Sequence, residues 1–224
     1  MPKPRVIDWD HLVSDLALNC ETYHHDFYAE KKFSGPGLHF HQRALNAKPD
    51  EKAEMVYAAL AAWGMHRPEG GPQMNEFCIF QKSLAEYLPF IASINSKNIS
   101  NITIDEFNML EPVFDNLNAM RTPRRIVALS RILAHYLPDI IAPVDEYTSR
   151  FIFGKPFIPD ACNDFVFFRD IHFNLVRELT TDKRFIRASM RWLNNEEFPW
   201  DRSLPKITHN LIVGKIIADK KLNQ

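Results

Sequence analysis

The sequence predicts an all-α fold, and three observations carry that expectation. Glycine is scarce, at 7 of 224 residues, whereas sheet-rich folds and phosphate-cradling loops need more of it. Apolar residues recur at helical spacing along most of the chain, with Pro, Gly and Asn at the breaks. Helix starts are marked explicitly. Thr103-Ile-Asp-Glu106 reads as a capping box, and Thr122-Pro123 sets a cap before a proline suited to a first turn.

The periodicity predicts helices at about 10–31, 38–47, 51–65, 75–94, 104–117, 123–137, 145–153, 163–180, 183–194 and 205–221. Gly35-Pro-Gly37 and Pro68-Glu-Gly-Gly-Pro72 read as tight connections on the rim of a cleft. There is no internal repeat and no low-complexity linker. A chain of 224 residues, 46% hydrophobic and 25% charged, fits one globular domain with lobes at 1–117 and 118–224.

Charge divides close to that line. Residues 1–111 carry 10 Lys/Arg against 15 Asp/Glu, and residues 112–224 carry 17 against 13. A polyanion would be met by the second half. Three scattered cysteines, Cys20, Cys78 and Cys162, fit thiols in a reducing compartment and exclude a four-cysteine iron–sulfur loop. No run approaches the roughly 18 apolar residues needed to span a bilayer, and Met1–Asp10 has no apolar leader segment. The expected protein is a cytoplasmic monomer without a membrane partner.

The stretch from Arg121 to Phe151 carries most of the chemistry. Residues 116–138 hold four arginines and no acid. Thr122 caps a helix whose first turn holds Arg124 and Arg125. Free backbone N–H groups, the positive dipole end and two guanidinium groups therefore converge, which suits a phosphate. The helix stops at Pro138, and an apolar connection, Ile140-Ile-Ala-Pro-Val144, leads to Asp145. Asp145 can be read in two ways. It is a preferred N-cap residue, able to satisfy the amides of residues 147 and 148. It is also a partly desolvated carboxylate, able to stabilise a cationic sugar and orient a water.

The segment Pro143-Val-Asp145-Glu-Tyr147-Thr148-Ser-Arg150-Phe151 resembles the catalytic-aspartate segment of helix–hairpin–helix DNA glycosylases, the superfamily of endonuclease III and the 8-oxoguanine glycosylases. The resemblance covers about 30 residues. It implies a two-lobed all-α fold, no cofactor, and a double-stranded DNA partner carrying a modified base, with Asp145 as the catalytic residue. Two departures matter. Arg121-Thr-Pro-Arg-Arg125 stands where the family has a glycine-rich hairpin, and the family's lysine slot falls near Val127. The resemblance thus implies a monofunctional enzyme that hydrolyses the N-glycosidic bond and leaves an abasic site.

Base flipping needs a pocket with aromatic or apolar walls. Trp63-Gly-Met-His66-Arg67 is the leading candidate for it, with Phe40, His41 and Tyr147 as further lining residues. The 17 phenylalanines mostly belong to the core. Arg121, Thr122, Arg124 and Arg125 form the expected phosphate grip. Arg184, Arg187 and Arg191, at i, i+3 and i+7, extend it or form a solvated face. The histidines at 24, 25, 39 and 41 lack partners at zinc-ligand spacing, and Ser130 has no histidine at triad spacing, so no metal and no nucleophilic triad are expected. The alternative functions are a non-catalytic DNA-binding or protein-interaction module and, last, a small-molecule enzyme built on His39, His41 and His66. Replacing Arg124 and Arg125 with glutamate should weaken binding to unrelated duplexes alike and flatten its salt dependence, measured by titration at several ionic strengths. Unchanged binding would move the contact surface elsewhere.

Overall fold

Helices form the whole framework, and the computed structural model describes residues 7–30, 35–66, 73–121, 125–145, 148, 151–152 and 164–222. No strand occurs among these residues, where an isolated bridge joins Met74 to Met120.

Asp8 caps α1 (Trp9–Leu18), its carboxylate accepting from the His11 amide at 2.9 Å. The helix expected over 10–31 divides at Asn19, where the backbone leaves helical geometry at φ −105°, ψ 16°. The cause is local. The Asn19 side chain donates to the Asp15 carbonyl and carboxylate, offering the backbone an alternative to the helical ladder. The chain resumes as α2 (Cys20–Ala29), followed by α3 (Pro36–Asn46), α4 (Lys52–Ala62) and α5 (Phe77–Ile94). The expected capping box is present with both of its bonds, Glu106 amide to Thr103 and Thr103 amide to Glu106. It opens α6 (Ile104–Asn108). The single helix expected over 104–117 breaks after it, because Pro112 has no N–H to extend α6 and sits in the first turn of α7 (Glu111–Asn116).

The basic segment gives α8 (Arg125–Tyr136), and Thr148, Phe151 and Ile152 are helical within the stretch expected over 145–153. The helix expected over 163–180 is interrupted. It runs as α9 (Asp164–Ile171), a π-helical turn His172–Arg177, and α10 (Glu178–Thr181). The His172 ring, at the start of the π turn, bonds the Phe168 carbonyl at 2.6 Å. α11 (Lys183–Ser189) ends earlier than the expected 194. The chain then turns, and Asn194, at φ 57°, redirects it with its amide on the Asp201 carbonyl at 2.8 Å. α12 (Leu204–Leu222) closes the fold.

The main hydrophobic cluster draws on both halves of the chain, from Leu16 and Leu60 to Phe168 and Ile207. Phe80, Phe107, Phe114, Phe168 and Phe185 are all fully buried, each stabilising the fold by roughly 1.5–3 kcal/mol through area removed from water. α12 is buried along most of its length and packs most extensively on α2. Gly214 permits that approach, because a Cβ there would overlap the Tyr23 carbonyl. Gly214→Ala should therefore cost at least the ~3 kcal/mol upper end of ordinary overpacking, read as a lowered urea midpoint. A variant of unchanged stability would show that α2 and α12 do not meet at this glycine.

Candidate active site

A cleft of about 470 Å³ opens between α2, α3, the end of α4, α8 and the start of α12. Its apolar walls are Trp63, Trp200 and Phe27, and its charged groups are Arg131, Asp145, Lys206 and His209. Trp63 reaches it because Gly64, at φ 75°, turns the chain at the end of α4. Gly37 lies against the indole edge, where a Cβ would come within 2.9 Å. The Arg131 guanidinium covers the Trp63 ring at 5.1 Å.

Asp145 is delivered by the segment 139–145, and bonds from α8 and the π turn help to pin that segment. Ser130 of α8 accepts from the Val144 amide at 2.9 Å and donates to the Val144 carbonyl at 3.1 Å. His172, in the π turn, accepts from the Ala142 amide at 3.0 Å. Since its Nε2 accepts there, its Nδ1–H is the donor to Phe168, and the ring is neutral. Ser130 thus has a positioning role where the sequence offered no catalytic partner.

Both readings of Asp145 have a counterpart in its geometry. One oxygen, Oδ1, accepts from the Thr148 amide at 2.7 Å, as a helix cap does. The other, Oδ2, faces His209 Nε2 at 3.5 Å, with side chains only 15% and 10% exposed. Burial pushes the carboxyl upward, but His209, the Arg131 charge and the Thr148 amide outweigh it and hold Asp145 well below the usual carboxylate range. It is a carboxylate at neutral pH.

Lys206 and His209 share one face of α12, together with Asn210. Lys206 Nζ donates to His209 Nδ1 at 3.1 Å and to Asn210 Oδ1 at 2.8 Å. An ammonium can only donate, so His209 accepts at Nδ1 and carries its proton on Nε2, facing Asp145. Burial lowers the Lys206 pKa to about 7, against the opposing pull of Asp201 and Asp145. Burial and the Lys206 charge push His209 below its ordinary value, so the ring is neutral. Two buried polar atoms next to Asp145, His209 Nε2 and Thr148 Oγ1, have no hydrogen-bond partner among the described residues.

The remaining expected site residues are distributed as follows. His41 is buried behind the cleft, bonded to His135 at 3.0 Å and stacked on Trp200 at 5.0 Å. Phe40 packs on the core, and His66 is exposed outside the cleft lining. Arg121 is exposed and pairs with Glu76 at 3.5 Å. Arg125 opens α8, while its side chain, with Arg67, Thr122, Arg124 and Tyr147, lies outside the described residues. Arg184, Arg187 and Arg191 line a second depression that shares no residue with the cleft. There Arg184 bonds Asp182 at 2.7 Å and Arg191 bonds Glu21 at 2.6 Å. No group of three or more metal-ligating side chains occurs among the described residues.

Arg131, Trp200, Lys206 and His209 are absent from the expected site. One signal for two of them was present. Lys206, His209 and Asn210 stand at i, i+3 and i+4 on one face of a helix whose other residues include Ile207, Leu211, Ile212 and Val213. Polar groups on an otherwise apolar helix are buried only where they are paired.

The pinned segment yields a pH prediction. Burial lowers His172 to about 4 and His135 to about 4, below the ordinary 6.5. As pH falls from about 6.5 to about 4, the unfolded chain takes up these protons and the folded chain does not, so stability is lost through that window. Urea midpoints should drop between pH 7 and pH 4, and His172→Gln should flatten the dependence by about one proton. An unaltered slope would show that His172 is not held neutral between Ala142 and Phe168.

In comparisons with known proteins, the chain matches no family model, no curated protein and no solved structure.

Proposed function

We propose that the cleft releases a modified base from DNA by hydrolysing its N-glycosidic bond, as a monofunctional glycosylase. The observation that carries this reading is the Asp145 carboxylate, held ionised by His209, Arg131 and the Thr148 amide in a cleft walled by Trp63, Trp200 and Phe27. Breaking the bond between C1′ and the base nitrogen builds positive charge on the sugar, and a fixed carboxylate stabilises that charge. The same carboxylate takes the proton of a water that attacks C1′. The cleft volume falls in the usual range for small-molecule sites and has room for a base and its sugar. Flat aromatic walls suit an unstacked base.

The resemblance of residues 143–151 to the helix–hairpin–helix glycosylases supports the same assignment. So does the course of α8. Arg125 at its start and Arg131 in the cleft are six residues apart, a rise of about 9 Å along the helix axis, so phosphates gripped at the start would lie close to a base in the cleft. In this reading Arg121, Thr122, Arg124 and Arg125 hold the DNA backbone.

Asp145→Asn provides the test. Asn caps helix starts well, so the Thr148 bond survives, but the charge opposite Arg131 and His209 is lost, at a cost of roughly 1–3 kcal/mol. The folded variant should lose at least about a hundredfold in base release from a panel of modified duplexes, while duplex affinity holds or rises. Undiminished release by the variant would remove Asp145 from the chemistry. If the wild-type protein releases no base from any duplex, a non-catalytic DNA-binding module becomes the assignment.

A further inference from the structure

We infer that Lys206 is the proton donor to the departing base, and that His209, set between Lys206 and Asp145, is the positioning residue that aims it. This rests on the N-glycosidic reading above. When the C1′–N bond breaks, its electron pair leaves with the base, so a neutral base departs as an anion unless an acid protonates it, and protonation makes it the better leaving group. Lys206 is the acid that the cleft supplies. Its ammonium has three donors, and His209 and Asn210 engage two of them, which leaves one for a ligand. The Trp200 ring, 5.0 Å from Nζ, places the amine beside an aromatic wall on which the base would stack.

The other half of the reaction has its own marker. His209 Nε2–H is a buried donor without a hydrogen-bond partner among the described residues, 3.5 Å from Asp145 Oδ2. His209 thus faces both charged groups at once, Lys206 through Nδ1 and Asp145 through Nε2–H. The single imidazole between acid and base limits their separation to at most about 9 Å, of the order that separates acid and base in inverting glycoside hydrolysis. The step balances. Lys206 gives one proton to the base, water gives one to Asp145, and its hydroxyl adds to C1′. Solvent restores both groups after the products leave.

The protonated form of Lys206 is set by the groups that face it. Asp145 and Asp201 favour its charge, while Arg131 and burial oppose it, and His209, His41, His135 and Arg202 are its other titratable or charged neighbours. With Lys206 near 7, base release should fall as pH rises through about 7.

The test compares wild-type protein and Lys206→Gln on duplexes carrying a neutral modified base, such as uracil or hypoxanthine, and on duplexes carrying N7-methylguanine, which is already cationic. Gln retains donors for His209 and Asn210, and circular dichroism checks its fold. Lys206→Gln should lower the ratio of neutral to cationic base release by about a hundredfold and remove the alkaline limb of the pH profile. Added methylammonium should partly restore neutral-base release to Lys206→Ala. Equal losses on both substrate classes, or an unchanged pH limb, would overturn the role with the glycosylase reading intact. A borohydride-trapped DNA adduct that disappears in Lys206→Gln would show that Lys206 attacks carbon and is not a proton donor. Wild-type protein inert towards both classes would overturn the glycosylase reading itself, and this role with it.

Discussion

An ammonium leaves water only where other groups replace its hydration, and Lys206 lies on a helix buried along most of its length. Asn210 and His209 accept from it, and the faces of Trp200 and Phe27 lie 5.0 and 6.0 Å from its charge. The compensation extends outward. Asn210 donates to Asp201 at 2.7 Å, Asp201 holds His24 at 2.7 Å, and His24 stacks on Trp192 at 3.9 Å. These residues come from α2, α12 and the turn before it. The chain of bonds that satisfies Lys206 therefore also fixes the Trp200 wall and the seam between α2 and α12. Compensation is incomplete, and the deficit appears as an amine poised to exchange its proton near neutrality.

Asp145 depends on a second constraint, the immobilisation of a segment with no regular structure. Ser130 binds both polar groups of Val144, His172 binds Ala142, and the Ile99 amide binds the Asp139 carbonyl at 2.9 Å. The Arg177 guanidinium holds the Ile99 and Ile102 carbonyls from the far end of the π turn. The π turn thus has a mechanical consequence. It presents His172 to one side of the segment and Arg177 to the loop beneath it, and α8 closes the other side. A carboxylate on so fixed a backbone has little freedom to move.

Electrostatics inside the cleft and on the surface follow different rules. Arg131, Asp145, Lys206 and His209 interact through protein, so each charge governs its neighbours' protonation. The stripe of Arg184 and Arg191 is solvated and already paired with Asp182 and Glu21, contacts worth little in water.

The sequence by itself determined that the chain is helical and where most helices begin, and it singled out Asp145 and Trp63, which line one cleft. These features are local: the apolar spacing, the Thr103 capping box, the Trp63-Gly64 helix end and an aspartate after an apolar turn are each written within a few residues. The breaks at Asn19 and Pro112 were less legible, because each depends on one residue, a competing side-chain amide in the first and a missing N–H in the second. Tertiary structure alone decided the company of Asp145. Arg131, Lys206 and Trp200 are 14, 61 and 55 positions from it in the chain, and no spacing rule connects them. It also decided which polar residues of α12 lie inside, since a lysine on a helix is solvated by default and Lys206 is buried where Phe27 of α2 and Trp200 lie against it. Helix formation is read from neighbours in sequence, whereas a depressed amine and a stabilised carboxylate arise from the dielectric and the charges that packing brings together.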